Sequence, residues 1–361
     1  MIQPVTMPKW GLSMERGRIT DWFVAEGDEV EAGDDLADID TDKINGTLES
    51  PGDGVLRRVV AAVGEEVPVG GTIALLAKAD TEDAELDEAV RKAREEIEAG
   101  AVVAPEGPVT GTAEVGGRTL AYATLGTEGD VVVLVHGYGG DKNSWLFVQE
   151  PLSRTKIVHA LDLPGHGDST KDVGDGSLAT LADAVLGFLD ALGIERAHLV
   201  GHSLGGAVVT AAAAKAPHKV SRLTLVAPAG FGTAVNAGYL RGFAAATTRR
   251  ELKPHLSALF ASPDLVTRQL ADDLLRYKRR DGVDKVLTTL LDTLLDGDAQ
   301  AIDAAPLLSG VDVPTRTIWG RRDAVLPPGE ADVYVDDAGH LVHLEAPGAV
   351  LAAILDGGHR G

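Results

Sequence analysis

The chain contains no cysteine, which rules out disulfides, thiolate nucleophiles and Cys-ligated metal centres together. Positive charge is scarce too. The 33 lysines and arginines face 55 aspartates and glutamates, for a formal net charge of -22. An excess of that sign opposes the attraction to phosphate behind sequence-independent nucleic-acid binding, and it repels anionic membrane surfaces. Neither partner is expected. No apolar run approaches bilayer-spanning length, and the opening MIQPVTMPKWGLS lacks the apolar stretch of a signal peptide. A cytoplasmic location is the expectation. What is present suits folded protein: 361 residues, 44% of them apolar, with a mean hydropathy of +0.04. That is enough for about two domains with substantial cores.

The first eighty residues repeat themselves. Gly17 aligns with Gly54, the segment EGDEV ending at Val30 with VGEEV ending at Val67, and Gly33 with Gly70, at a constant offset of 37 residues. Two copies are too few for a solenoid, so a closed pair is the better reading. Short alternating runs such as RITDWFV and GVLRRVV, separated by glycine-containing turns, predict half-buried strands in a small sandwich. Lys43 falls in the link between copies. The symmetry puts it at an exposed hairpin end, where the Asn and Gly of the following ING supply turn chemistry.

Three features, MPKWGLSMERGRITDWFVAEGDEVEAGD, DIDTDKINGTLESPGDG and the duplication itself, resemble the lipoyl domains of 2-oxo acid and acetoin dehydrogenase complexes over residues 1–79. The resemblance implies a small all-β sandwich, or flattened barrel, of the lipoyl/biotinyl type. It also implies that Lys43 carries lipoate in amide linkage. Biotinyl domains usually flank their lysine with methionines, whereas Lys43 has Asp42 and Ile44. Lipoate is therefore favoured over biotin. An unmodified lysine paired with Asp42 is the plain alternative.

Residues 80–108 are expected to be a linker. DTEDAELDEAVRKAREEIEAG places acids ahead of bases at helical spacing, with only a thin apolar stripe. It predicts a solvent-exposed or partly helical spacer, followed by the extended AVVAPEGPVTG. No subunit-binding domain of the kind found in ordinary lipoyl-bearing acyltransferases is recognisable there.

From residue 109 to 361 short apolar strands alternate with helical segments, the pattern of a mostly parallel sheet covered on both faces. Chemistry in such sheets gathers at the carboxyl ends of strands. GHSLGG, residues 201–206, places G-x-S-x-G between an apolar strand and the helical AVVTAAAAKA, the context a nucleophile elbow requires. Ser203 is the candidate nucleophile. Asp323 ends a strand in WGRRD, and His340 lies in AGHLVHLEAP. The order serine, acid, histidine and the DLPGHG segment at 162–167 resemble the α/β hydrolases. The resemblance implies a triad of Ser203, Asp323 and His340, with an oxyanion hole from the backbone amides of Tyr138 (in HGYGG) and Leu204. His136 and His202 read as structural members of their motifs, and His343 as a weaker competitor of His340. Residues 230–306, rich in helix formers, look like a lid insertion. The family pattern is broken at one point: the segment between Asp323 and His340 is shorter than the usual helix plus strand. Trimming there leaves the site more open or exposes a surface for partners.

A lipoyl domain joined to an α/β hydrolase domain resembles the acetyltransferase component (dihydrolipoyllysine-residue acetyltransferase) of acetoin dehydrogenase complexes. That family implies acetyl transfer to coenzyme A. It also implies thiamine-diphosphate-dependent acetoin-cleaving subunits, dihydrolipoamide dehydrogenase and a lipoate ligase or transferase as partners, and a homo-oligomeric state. The His-x-x-x-Asp-Gly motif of the usual acyltransferase domains does not occur. Transfer therefore falls to the serine triad. The alternatives are a serine hydrolase acting on an ester, thioester or diketone, with a carrier domain for docking, or a carrier with a non-catalytic scaffold. Coenzyme A is anionic, and the densest basic clusters are Arg249 with Arg250, and Lys278 with Arg279 and Arg280. Solvated helix faces are their ordinary explanation.

Overall fold

Glycine-containing turns break the first part of the chain into short strands, and the computed structural model shows how these pair. It describes residues 2–8, 14–41, 45–98, 107–266 and 268–356, which fall into two units, Met1–Pro108 and Val109–Gly361. The first contains β1 (Gln3–Thr6), β2 (Arg16–Trp22), β3 (Glu29–Val30), β4 (Asp35–Asp40), β5 (Asn45–Glu49), β6 (Gly54–Val59), β7 (Glu66–Pro68) and β8 (Thr72–Ala77). They form two four-stranded antiparallel sheets, β1-β8-β6-β3 and β5-β4-β2-β7. Ile19, Leu36, Ile39, Leu56, Ile73 and Leu76 are buried.

The duplicated copies do not fold side by side; they exchange strands. Gly17 of the first copy pairs with Val67 of the second in one sheet, and Gly54 pairs with Val30 in the other. The same exchange governs the turns, where the Gly27 amide donates to Leu56 O and the Gly64 amide to Ile19 O, both at 2.7 Å. Gly27 and Gly64 have φ of 103° and 89°, a region that side chains with a Cβ rarely enter. The repeated glycines are thus demanded by one turn built twice.

The charged segment beyond the sandwich forms helix α1 (Asp83–Glu98), and its thin stripe is used. Leu86 and Ala93 are buried with Val60, Leu75 and Ala77, and Ala89 and Val90 pack against them. Arg58 bonds Asp83 and Asp87 at 2.9 and 3.0 Å. Those carboxylates are largely exposed, so the ion pairs contribute little. Leu86, with no exposed surface, contributes about 1.5–3 kcal/mol by burial. The segment expected to be a spacer is therefore part of the first unit up to the end of α1.

The second unit is built on an eight-stranded sheet. Its elements begin with β9 (Val109–Val115), β10 (Arg118–Leu125), β11 (Val131–Val135), α2 (Leu146–Ser153), β12 (Ile157–Leu161) and α3 (Leu178–Ala191). They continue with β13 (Ala197–His202), α4 (Leu204–Lys215) and β14 (Val220–Val226). The insertion follows: α5 (Ala237–Ala245), α6 (Arg249–Leu256), α7 (Arg268–Lys278), α8 (Val283–Leu294), the short β15 (Leu295–Asp296) and β16 (Ala299–Gln300), and α9 (Ala305–Leu308). Last come β17 (Thr315–Gly320), β18 (Val333–Val335), α10 (Val342–Glu345) and α11 (Pro347–Leu355).

The sheet order is β18-β17-β14-β13-β11-β12-β10-β9, parallel from β18 to β12 and antiparallel through β10 and β9. One face buries Val133, Leu199, Leu223 and Leu225 against α3 and α4, and the other buries Leu134, Val200 and Ile318 against α2 and α11. Burial on both faces accounts for the continuous apolar strands. The insertion helices form a cluster through Phe243, Leu252, Leu256, Leu275 and Leu287 that includes Trp319 and Leu326, which places them over the carboxyl ends of β14 and β17. Among the described residues no helix is long and apolar enough to cross a membrane.

Candidate active site

The turn from β13 to α4 is tight, and glycine makes it so. A Cβ on Gly201 would lie 2.4 Å from Gly205 O, and one on Gly205 would lie 2.3 Å from Val135 O. Between them Ser203 takes φ 52° and ψ -118°, a strained conformation for a residue with a Cβ. Its amide donates to Val226 O at 3.0 Å, and its carbonyl accepts from Ala229 N at 2.9 Å. The serine is thus held against the end of β14 and the turn that follows it, at the carboxyl edge of the sheet, 9% exposed.

Asp323 and His340 meet. His340 Nδ1 is 2.7 Å from Asp323 Oδ2, with both residues buried. The other oxygen, Oδ1, accepts from the amides of Val325 and Leu326 at 2.8 Å. Trp319 Nε1 donates to Oδ2 at 3.0 Å. A carboxylate with this many donors is fixed in orientation. The connection from Asp323 to His340 contains turns and the three residues of β18, with no helix. The shortening noted in the sequence therefore removes a helix while leaving the aspartate and histidine in contact.

Backbone contacts hold the histidine loop. His340 and Leu341 amides both donate to Leu259 O. Glu345 accepts from Gly339 N and from Ala261 N at 2.7 Å, which ties the loop to the insertion. Burial, the largest influence, raises the Glu345 carboxyl. His202, directly before the serine, lies 3.0 Å through Nε2 from His340 O, where the ring donates to the carbonyl. His343 is fully buried between the rings of Trp145 and His202, at 4.6 and 4.5 Å. Burial pushes its imidazole down to about 3, and no carboxylate is paired with it among the described contacts. It is unsuited to act as a base.

Leu204 opens α4, so its amide is one of the free donors of a helix N-terminus. Tyr138 follows Gly137, where an added Cβ would come within 3.0 Å of Ser203 Cβ. Both candidate oxyanion donors are thereby on segments adjoining the serine. Of the basic residues weighed for coenzyme A, Arg249 bonds Asp272, Arg280 bonds Asp168 at 3.0 Å, and Lys278 donates to Phe243 O and Ala244 O. These three have intramolecular partners. Trp319, Glu345 and His166 were not singled out by the sequence, since their roles rest on contacts made only in the folded chain.

In the first unit the antiparallel ladder of β4 and β5 closes at Asp40 and Asn45. Residues 41–44 join the two strands, and Lys43 lies among those outside the described residues. An amide-linked lipoate needs a primary amine at such a connection, and Lys43 is the one lysine within it. Among the described residues no group of three or more His, Asp or Glu is placed to hold a metal ion.

Similarity to known proteins follows the same division. Residues 130–357 match the alpha/beta hydrolase fold family, and residues 3–76 match the family described as biotin-requiring enzyme. The dihydrolipoyllysine-residue acetyltransferase component of the acetoin cleaving system of Pseudomonas putida is 46% identical over 354 residues, spanning 96% of this chain and 95% of that protein. Its counterpart from Cupriavidus necator is 42% identical, spanning 95% and 94%. Among solved structures, a meta-cleavage product hydrolase from Pseudomonas fluorescens IP01 shares the fold with a TM-score of 0.61 at 22% identity, over 68% of this chain and 97% of that one. Identity sustained across both halves carries more than either half alone: the chain belongs to the family of dihydrolipoyllysine-residue acetyltransferase components of acetoin cleaving systems.

Proposed function

We propose that the chain transfers acetyl from a lipoyl thioester to coenzyme A through Ser203, His340 and Asp323. The observation that carries this reading is the 2.7 Å contact of His340 Nδ1 with Asp323 Oδ2, made at the edge where Ser203 stands in a strained strand-to-helix turn. Lipoate in amide linkage to Lys43 supplies a dithiol that holds acetyl as a thioester on a long arm. His340 takes the Ser203 proton as the hydroxyl attacks the thioester carbonyl, and Asp323 holds the imidazole tautomer and stabilises its cation. The amides of Tyr138 and Leu204 receive the oxyanion. The leaving thiolate takes the proton back from His340. The coenzyme A thiol then gives its proton to His340 and attacks the acyl-serine, and Ser203 leaves with that proton restored. Transfer exceeds hydrolysis only where water is kept out and the thiol is held in place. The insertion helices packed over Trp319 and Leu326 supply such a cover.

The partners proposed for this reading are thiamine-diphosphate-dependent acetoin-cleaving subunits, dihydrolipoamide dehydrogenase and a lipoate ligase or transferase, in a homo-oligomeric cytoplasmic assembly. Two measurements test it. Intact mass after incubation with lipoate and a lipoate ligase should rise by one lipoyl group in the parent chain and not in Lys43→Ala. With acetylated dihydrolipoamide and coenzyme A, acetyl-coenzyme A should form, and Ser203→Ala should abolish it. Acetate in place of acetyl-coenzyme A would select the hydrolase alternative, and turnover of the assembled complex unaffected by Ser203→Ala would leave only a carrier.

A further inference from the structure

His136 and His166 stand outside the triad and brace each other's loops. His136 follows β11, and His166 lies in the PGHG segment after β12. Both are fully buried, with ring centroids 4.8 Å apart. The Leu163 amide donates to His136 Nε2 at 3.1 Å, and the Gly139 amide donates to His166 Nε2 at 3.2 Å. A backbone N–H can only donate, so both Nε2 atoms are acceptors and each neutral ring carries its proton on Nδ1. Those Nδ1–H groups face Gly137 O at 2.7 Å and Pro164 O at 3.1 Å. Each loop thus supplies the histidine that accepts the other's amide.

The contacts fall on two successive peptide planes. Among the described residues no peptide bond is cis, and in a trans peptide the C=O and N–H point in opposite directions. Gly137 O accepts from His136 Nδ1 and from Gly140 N at 3.1 Å. The Tyr138 N–H, in the same plane, must therefore point away from both. Gly139 N–H, held by His166, fixes the plane on the other side of Tyr138. This backbone runs beside the serine, as the 3.0 Å approach of a Gly137 Cβ to Ser203 Cβ requires.

We propose that His136 and His166 are positioning residues that pin the peptide planes on either side of Tyr138, so that its amide is set as an oxyanion donor before any acyl group arrives. The proposal rests on the serine chemistry proposed above. Rotation of the Tyr138 amide out of place would break contacts to both rings, and a preset donor has no reorganisation to undergo during the reaction. Burial pushes the His166 imidazole down to about 3 and lowers that of His136. The neutral rings that the bonds require thus persist through the ordinary working range.

The test uses the full chain and p-nitrophenyl acetate as acyl donor. His166→Asn keeps a polar group near the Nδ1 position and is too short to accept from Gly139. His166→Gln extends a carbonyl oxygen toward the Nε2 position. With Tm and circular dichroism recorded for both, His166→Asn should lose about 10²-fold in kcat, the scale of one oxyanion donor. KM should stay within threefold, and His166→Gln should recover at least tenfold of the loss. Equal losses in the two variants, or an unimpaired His166→Asn, overturns the proposal. Ser203→Ala separates it from the reading beneath: turnover surviving in Ser203→Ala removes both, whereas an inactive Ser203→Ala beside an unimpaired His166→Asn removes the positioning role alone.

Discussion

Trp319 and His340 converge on a single atom: Trp319 Nε1 lies 3.0 Å and His340 Nδ1 2.7 Å from Oδ2 of Asp323. The indole also donates to Leu326 O at 3.1 Å, so it clamps the aspartate to the turn that follows. A hydrogen bond to an ionised group is worth about 1.5–3 kcal/mol. Trp319→Phe should lower stability by roughly that amount, read from denaturant unfolding, and should reduce kcat more than it raises KM. Unchanged stability would show that the indole N–H contributes nothing to holding the carboxylate.

Replacing the aspartate itself should cost far more. Asp323→Asn keeps the shape and loses the charge that selects the imidazole tautomer, so kcat should fall by about 10³–10⁴-fold. Steady-state turnover with an acyl ester checks this, and a fall below tenfold would remove Asp323 from the triad.

The turn that carries Ser203, the proposed nucleophile, has no room for a methyl group at Gly205. A Cβ on Gly205 would meet the carbonyl oxygens of Val135 and His136 at 2.3 and 2.5 Å, which are backbone atoms with little freedom to move. Gly205→Ala should therefore destabilise the second unit and impair acylation of Ser203. Labelling with a fluorophosphonate reports the second effect, and full labelling at the parent rate would contradict it.

Helix α1 should behave as part of the sandwich. Leu86→Ala should cost about 2–5 kcal/mol. Hydrogen exchange should then accelerate in β6 and β8 and stay unaltered in the strands of the second unit. No change in β6 and β8 would make α1 an unattached spacer after all.

Lys278 provides a pH prediction. Burial lowers its ammonium to about 8, from an ordinary 10.5. Below pH 8 the folded state bears the whole cost of the buried charge. Between about 8 and 10.5 the unfolded chain holds the proton more tightly, so this residue's contribution to stability improves as pH rises. The Tm of the parent relative to Lys278→Met should climb across that window. Amine labelling of Lys278 should be half-maximal near pH 8, and a labelling midpoint above 10 would refute the burial effect.

The Asp323–His340 contact and the tight turn at Ser203 were legible in the sequence because each of these three proposed site residues sits in a short motif whose neighbours are fixed by local geometry. Gly201 and Gly205, for example, flank the serine where a Cβ would strike backbone. Trp319 read only as an apolar strand residue, since its N–H finds Asp323 through a turn whose path the sequence does not state. His166 was set within DLPGHG, but its acceptor role depends on Gly139, 27 residues away. The basic residues of the insertion were visible as clusters, while the partners that occupy Arg249, Lys278 and Arg280 come from elsewhere in the chain. In the first unit the 37-residue offset announced two copies. It could not say that Gly17 would seek Val67 and Val30 would seek Gly54, because equivalent strands have equivalent patterns.

That exchange has a consequence for how the sandwich comes into being. Neither copy can satisfy its own backbone, since the strand edge each one presents is completed only by the other. Folding must therefore be all-or-none over the two copies. A nascent chain emerging one copy at a time holds an open edge until the second arrives, and two molecules stalled at that stage have the means to complete each other.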